Sequence, residues 1–216
     1  MMNEEQMQMY VSNFKMEQTS LIDEIEQYAA EHHVPIMESD GIETFIGLLA
    51  LQQPKRLLEL GSAIGYSAIR IAQAFPKISI TTIERDAARY EKAVEYIEKA
   101  ALTERIRIIK ADALEFDNEN TINEPFDAMF IDAAKGQYKR FFEKYASHIA
   151  PGGVIYCDNM FMHGMVFQDI QEIPRRKRTM IRNLTAFTSW VMAQEAFDTH
   201  LLPVGDGILI AIKKEA

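Results

Sequence analysis

The chain has 216 residues, of which 48% are hydrophobic and 25% charged, with a formal net charge of −9 at pH 7. That length suits one well-filled α/β domain, and no stretch approaches the roughly 20 consecutive apolar residues of a membrane helix. A lone cysteine, Cys157, excludes an internal disulfide framework and a thiolate zinc site, and the acidic balance argues against wholesale coating of nucleic acid, although it leaves room for a local basic patch.

The start, MMNEEQMQMY, lacks the basic head and apolar centre of an export signal, so a cytoplasmic location is expected. Residues 1–50 read as an N-terminal helical region. Leu21, Ile22, Ile25, Tyr28 and Ala29 recur at helical spacing over Ser20–Glu31, with Ser20 and Asp23 as the start signal. Residues 51–216 read as the core. There the runs RLLEL, ISITTIE, RIRIIKA, FDAMFID and GVIYCD alternate with the helical patterns SAIRIAQAF, AARYEKAVEYIEKA and YKRFFEKYASHI. Such alternation predicts right-handed crossovers and a mostly parallel, doubly wound Rossmann-like sheet buried on both faces. The end, THLLPVGDGILIAIKK, breaks the pattern, reading as two strands about a Gly-Asp-Gly turn and predicting an antiparallel hairpin at one side.

Ligands of such sheets sit beyond the carboxyl ends of the strands. The residues expected there are Glu59 to Gly61, Glu84, Asp112, Asp132 and Asp158-Asn159. Any one carboxylate could simply cap a helix, but a whole edge of them points to a site. Gly61 and Gly65 are spaced Gly-x-x-x-Gly, so neither the dinucleotide fingerprint nor a P-loop is present. Glu84, about 20 residues further on, stands where an acid takes a ribose diol. A nucleoside without a pyrophosphate suits the turn.

With those residues in view, LLELGSAIGYSA resembles the glycine motif of class I methyltransferases that use S-adenosylmethionine, and TTIERD and KADAL resemble their next two motifs. The resemblance implies that the turn at Gly61 and Gly65 lies against the methionine part of the cofactor, supported by Glu59 and Ser67. It places Glu84 on the ribose and Asp112 with Ala113 near adenine. FIDAAKGQY and YCDNMFMHG resemble the metal-dependent catechol and caffeoyl-CoA O-methyltransferases, which implies a magnesium or manganese ion on Asp132, Asp158 and Asn159. Hard oxygen ligands without cysteine agree with such a metal. The same resemblance makes Lys135 the base, with His163 as the alternative, and makes a homodimer the expected assembly.

Two features bear on the acceptor. Met162 stands where the catechol members commonly carry a tryptophan, and Arg175, Arg176, Lys177, Arg178 and Arg182 crowd the start of a helix introduced by Pro174. Cations there oppose the macrodipole, and a solvated helix face competes with a phosphate-binding patch as the explanation. Length, the VPIM stretch and the basic segment resemble the bacterial tRNA 5-hydroxyuridine methyltransferases. That likeness implies tRNA as partner and 5-methoxyuridine at the wobble position as product, with a small catechol or phenol as the alternative acceptor.

Overall fold

In the computed structural model, residue 10 and residues 19–117, 122 and 124–215 are described. Most of the N-terminal stretch read above as lacking an export signal lies outside them. Helix α1 spans Ser20–Glu31 and begins one residue earlier than its sequence signal, because Thr19 is the cap and its hydroxyl accepts from Ile22 N at 3.4 Å. Helix α2, Ser39–Gln52, has no cap hydrogen bond from a side chain and stops at Gln53, which takes a left-handed conformation. Its apolar residues Ile42, Phe45 and Leu49 recur at helical spacing and are buried.

The core follows as β1 (Arg56–Leu60), α3 (Tyr66–Ala74), β2 (Ser79–Glu84), α4 (Ala87–Lys99), β3 (Ile106–Lys110), β4 (Phe126–Ile131), α5 (Tyr138–Tyr145), β5 (Ile149–Cys157), α6 (Arg175–Met192), β6 (Phe197–Leu202) and β7 (Ile208–Lys213). The strand order is β3-β2-β1-β4-β5-β7-β6. The first five run parallel; β7 pairs antiparallel with β5 and β6 antiparallel with β7, which bears out the doubly wound sheet finished by a hairpin. β5 starts four residues before the expected Gly153. Its pairing with β4 shifts register between Phe126 and Ala128, and a Cβ at Gly153 would stand 2.7 Å from Ile149 Cγ2, so the glycine belongs to the irregularity inside the strand.

Each face of the sheet carries its own apolar layer. Ile22, Ile25 and Ala29 of α1 and Ile42, Phe45 and Leu49 of α2 pack with Tyr66 and Ile69 of α3 on one side. Tyr138, Phe142 and Tyr145 of α5 and Leu184, Phe187 and Val191 of α6 cover the other. Burial on two faces is why the strands read as continuous apolar runs, and it leaves the carboxyl-end edge as the place where polar side chains collect. Among the described residues no helix is long and apolar enough to cross a membrane.

Candidate active site

A cavity of about 680 Å³ lies along that edge. Gly61, Ser62, Ser67, Glu84, Asp112 and Ala113 line it at one end, and Asp132, Lys135, Asn159, Met162 and His163 line it at the other. Glu59 and Asp158 do not line it.

The glycine turn is shaped by its neighbours. Gly61 has φ +93° and donates its N–H to Ile83 O at 2.9 Å, and a Cβ on it would stand 2.4 Å from the carbonyl oxygen of Asp132. Its role is therefore to let the ends of β1 and β4 approach. Gly65, φ +85°, precedes α3 as its cap and donates to Ser62 O at 2.7 Å. Glu84 is 7% exposed and its two oxygens accept from Ala63 N at 2.9 Å and Asp86 N at 2.8 Å. One carboxylate ties the glycine turn to the loop after β2, with lone pairs left over for a ligand. Ser62 Oγ is buried on the cavity wall with no hydrogen-bond partner among the described residues. An orphaned buried hydroxyl is what a bound polar molecule would satisfy, so these residues fit a nucleoside cofactor. Asp112 is largely committed to its own turn, its Oδ1 accepting from Leu114 N at 2.9 Å while Oδ2 lies 3.4 Å from Arg85.

Glu59 is fully buried beneath the turn, bonded to Ser67 Oγ and, at 2.5 Å, to Thr82 Oγ1. Burial pushes its carboxyl up to about 7 against the pull of those two hydroxyls. Since the folded value lies above the ordinary 4.5, the stabilisation from this group is complete below about pH 4.5 and is lost as pH rises through about 7. That shift corresponds to roughly 3 kcal/mol. Thermal melts of wild type and Glu59→Gln across pH 4 to 8 should therefore diverge, with the variant relatively more stable at the alkaline end. Parallel curves would deny the shift.

At the other end, Ile131 of β4 pairs with Cys157 of β5, so Asp132 and Asp158 follow at adjacent strand ends. Burial, then the negative charge of Asp132, push the Asp158 carboxyl upward. Lys135, first residue of the short 3-10 turn Lys135–Gln137, hydrogen-bonds Asp132 Oδ1. Tyr138 donates to Asp158 O at 3.0 Å. Among the described residues no three His, Cys, Asp or Glu side chains gather as a metal cluster. The set here is two carboxylates and the amide of Asn159. Two crowded acids with one buried carboxyl fit a hard cation, and their small number leaves coordination places for a substrate.

The sequence reading missed the wall from Pro35 to Glu38, the rim arginines Arg85, Arg89 and Arg140, and Ser62, Tyr66 and Phe141. The basic segment also divides. Arg175, Arg176 and Arg182 are exposed and Lys177 is half-buried, but Arg178 folds back to give Ile173 O a hydrogen bond of 2.8 Å and Gln171 O one of 2.5 Å. Pro174 is the cap and Arg175 the first helical residue, one position later than the sequence suggested. α6 reaches the site because Asn183 Nδ2 donates to Gly136 O at 3.1 Å.

Glu84→Ala is expected to weaken S-adenosylhomocysteine binding by about 1–3 kcal/mol, since it removes a charged acceptor and unties the turn. Calorimetry measures this, and tighter binding of NAD than of S-adenosylhomocysteine by the wild type would contradict the assignment.

The chain is 30% identical over 168 residues to a caffeoyl-CoA O-methyltransferase of Populus kitakamiensis, covering 76% of this chain and 72% of that protein. With a catechol O-methyltransferase of Niastella koreensis it shares 33% identity over 180 residues, 79% of each chain. An O-methyltransferase from Bacillus cereus, solved in complex with S-adenosylhomocysteine (SAH), superposes with a TM-score of 0.82 at 26% identity, covering 95% of this chain and 96% of that one. The model of the O-methyltransferase family matches residues 12–214, nearly the whole length, and the chain belongs to that family.

Proposed function

We propose that this O-methyltransferase takes its methyl group from S-adenosylmethionine and gives it to one of two neighbouring oxygens of its acceptor, with a divalent cation held by Asp132, Asp158 and Asn159. The observation that carries this reading is the single cavity that joins the Ser62–Glu84 end to the Asp132–Lys135 end. The sulfonium supplies a methyl group on a neutral leaving group, and the cation makes the acceptor hydroxyl more acidic. The remaining work belongs to the protein. The glycine turn and Glu84 orient the donor, Asn159 and Met162 border the acceptor's place, and Lys135 Nζ takes the hydroxyl proton as the oxygen–carbon bond forms and the carbon–sulfur bond breaks.

For the acceptor, the names of the poplar and Niastella relatives favour a small catechol or phenol, and family membership supports that reading better than any nucleic acid. A second reading, 5-hydroxyuridine at the tRNA wobble position converted to 5-methoxyuridine, is favoured by one surface. Exposed Arg175, Arg176 and Arg182 lie on the helix that meets the Lys135–Gln137 turn, and exposed Arg140 stands on the cavity rim. Its 5-hydroxyl beside the O4 carbonyl offers the paired oxygens of a catechol.

Labelled S-adenosylmethionine incubated with magnesium and either unfractionated tRNA or a catechol panel decides the acceptor, and excess EDTA should stop the reaction in both arms. If tRNA is labelled, changing Arg175 and Arg176 to glutamate should flatten the salt dependence of binding and leave SAH affinity unchanged. Brisk labelling of catechols alone settles on the small acceptor, and labelling unaffected by EDTA removes the cation.

A further inference from the structure

The Gly205-Asp206-Gly207 turn between β6 and β7 anchors the loop that follows Asn159. Phe161 N donates to Asp206 O at 2.8 Å, Met160 N to Gly207 O at 3.0 Å, and His163 N to Asp206 Oδ1 at 2.6 Å. The loop needs the anchorage, because Asn159, Met162 and His163 have φ of 54°, 48° and 52°, a left-handed region that disfavours residues bearing a side chain.

The anchorage uses only one oxygen of the carboxylate. Asp206 is 9% exposed at its side chain, and its Oδ2 is buried without a hydrogen-bond partner among the described residues. Opposite that oxygen, at 3.7 Å, stands His163 Nδ1. The imidazole itself is 68% exposed and lines the cavity next to Met162 and Asn159. An asparagine at position 206 would hold the backbone equally well, so the second, unpaired carboxylate oxygen is left without a structural use.

We propose that Asp206 and His163 form an acceptor-binding pair, in which the carboxylate keeps the imidazole proton on Nδ1 and so leaves Nε2 as a hydrogen-bond acceptor for an O–H or N–H group of the acceptor beside its reacting oxygen. The site of a histidine's proton is set by the partner of its other nitrogen. His163 is thereby the group that touches the acceptor, and Asp206 is a positioning residue acting through it. Lys135 remains the base. The pair rests on the methyl-transfer reading proposed above, but its own internal geometry does not.

Two measurements test it. Two-bond nitrogen–proton correlation spectra of the free protein should show the His163 proton on Nδ1, moving to Nε2 in Asp206→Asn, whose side-chain amide still bonds His163 N but offers Nδ1 a donor. A wild-type proton on Nε2 overturns the proposal whatever the acceptor is. In kinetics, His163→Ala should raise the acceptor KM about 10-fold with little change in kcat or SAH affinity. Asp206→Asn should raise KM in the wild type and add nothing in the His163→Ala background. An equal rise in both backgrounds means that Asp206 serves the loop alone, and an unchanged KM in His163→Ala removes the histidine from the acceptor; either result overturns the pair. If the wild type methylates neither tRNA nor phenols, the functional reading fails while the spectra still judge the pair.

Discussion

Lys135→Ala should lower kcat by about 10²- to 10⁴-fold, the usual contribution of a positioned general base, while SAH affinity changes little. Lys135 lines the cavity beside Asp132, at the end away from Ser62 and Glu84, and it hydrogen-bonds Asp132 rather than a residue of the glycine turn. Proton removal belongs to the transition state, so its loss appears in turnover and not in donor binding. Single-turnover kinetics alongside calorimetry separate the two. A variant that binds SAH poorly and turns over normally would place Lys135 with the donor, and a collapse of kcat in His163→Ala with Lys135→Ala unaffected would exchange the roles of the two residues.

Gly61→Ala should destabilise the fold by about 2–5 kcal/mol, combining a backbone conformation that disfavours side chains with overpacking of a close contact. The neighbour that a methyl group would strike is the Asp132 carbonyl, which is backbone and cannot swing away. β1 and β4 are also central strands, paired from Leu57↔Ala128 to Leu60↔Ile131, so separating their ends disturbs the middle of the sheet. Denaturant unfolding would register the loss. Full stability with only the donor affinity reduced would show that the glycine is needed for the ligand and not for the strand ends. Gly164→Ala makes a useful contrast: φ is +78°, yet nothing lies within 4 Å of the added methyl, so the steric part of the cost is absent.

The parts of the molecule legible in the sequence are those whose cause is local. Alternating strands and helices, the glycine turn and the acids ending β2, β4 and β5 all follow from short-range pattern, and the sheet order places them on one edge. Glu59 was less legible: it shares a motif with Gly61, yet the strand's alternation turns it into the interior, where Ser67 and Thr82 take it up. Asp206 was legible only as a turn residue. Its facing of His163 depends on a pairing across 43 positions of chain, and no local spacing encodes that. Arg178 likewise reads as one more cation in a run, although two backbone carbonyls of the preceding loop already occupy it.

The reversed direction of β7 has one more effect. Because Leu209, near its start, pairs with Cys157, at the end of β5, the hairpin tip opens on the same edge as the loops of the parallel strands. In the reading proposed above, the donor is held by the first half of the core, from Gly61 to Ala113, while the loop carrying Met162 and His163 on the acceptor's side is anchored by a tip formed late in the chain. Lengthening or recolouring that tip would retune what receives the methyl group without touching what delivers it, so descendants of one ancestral enzyme could exchange acceptors while inheriting the donor pocket intact.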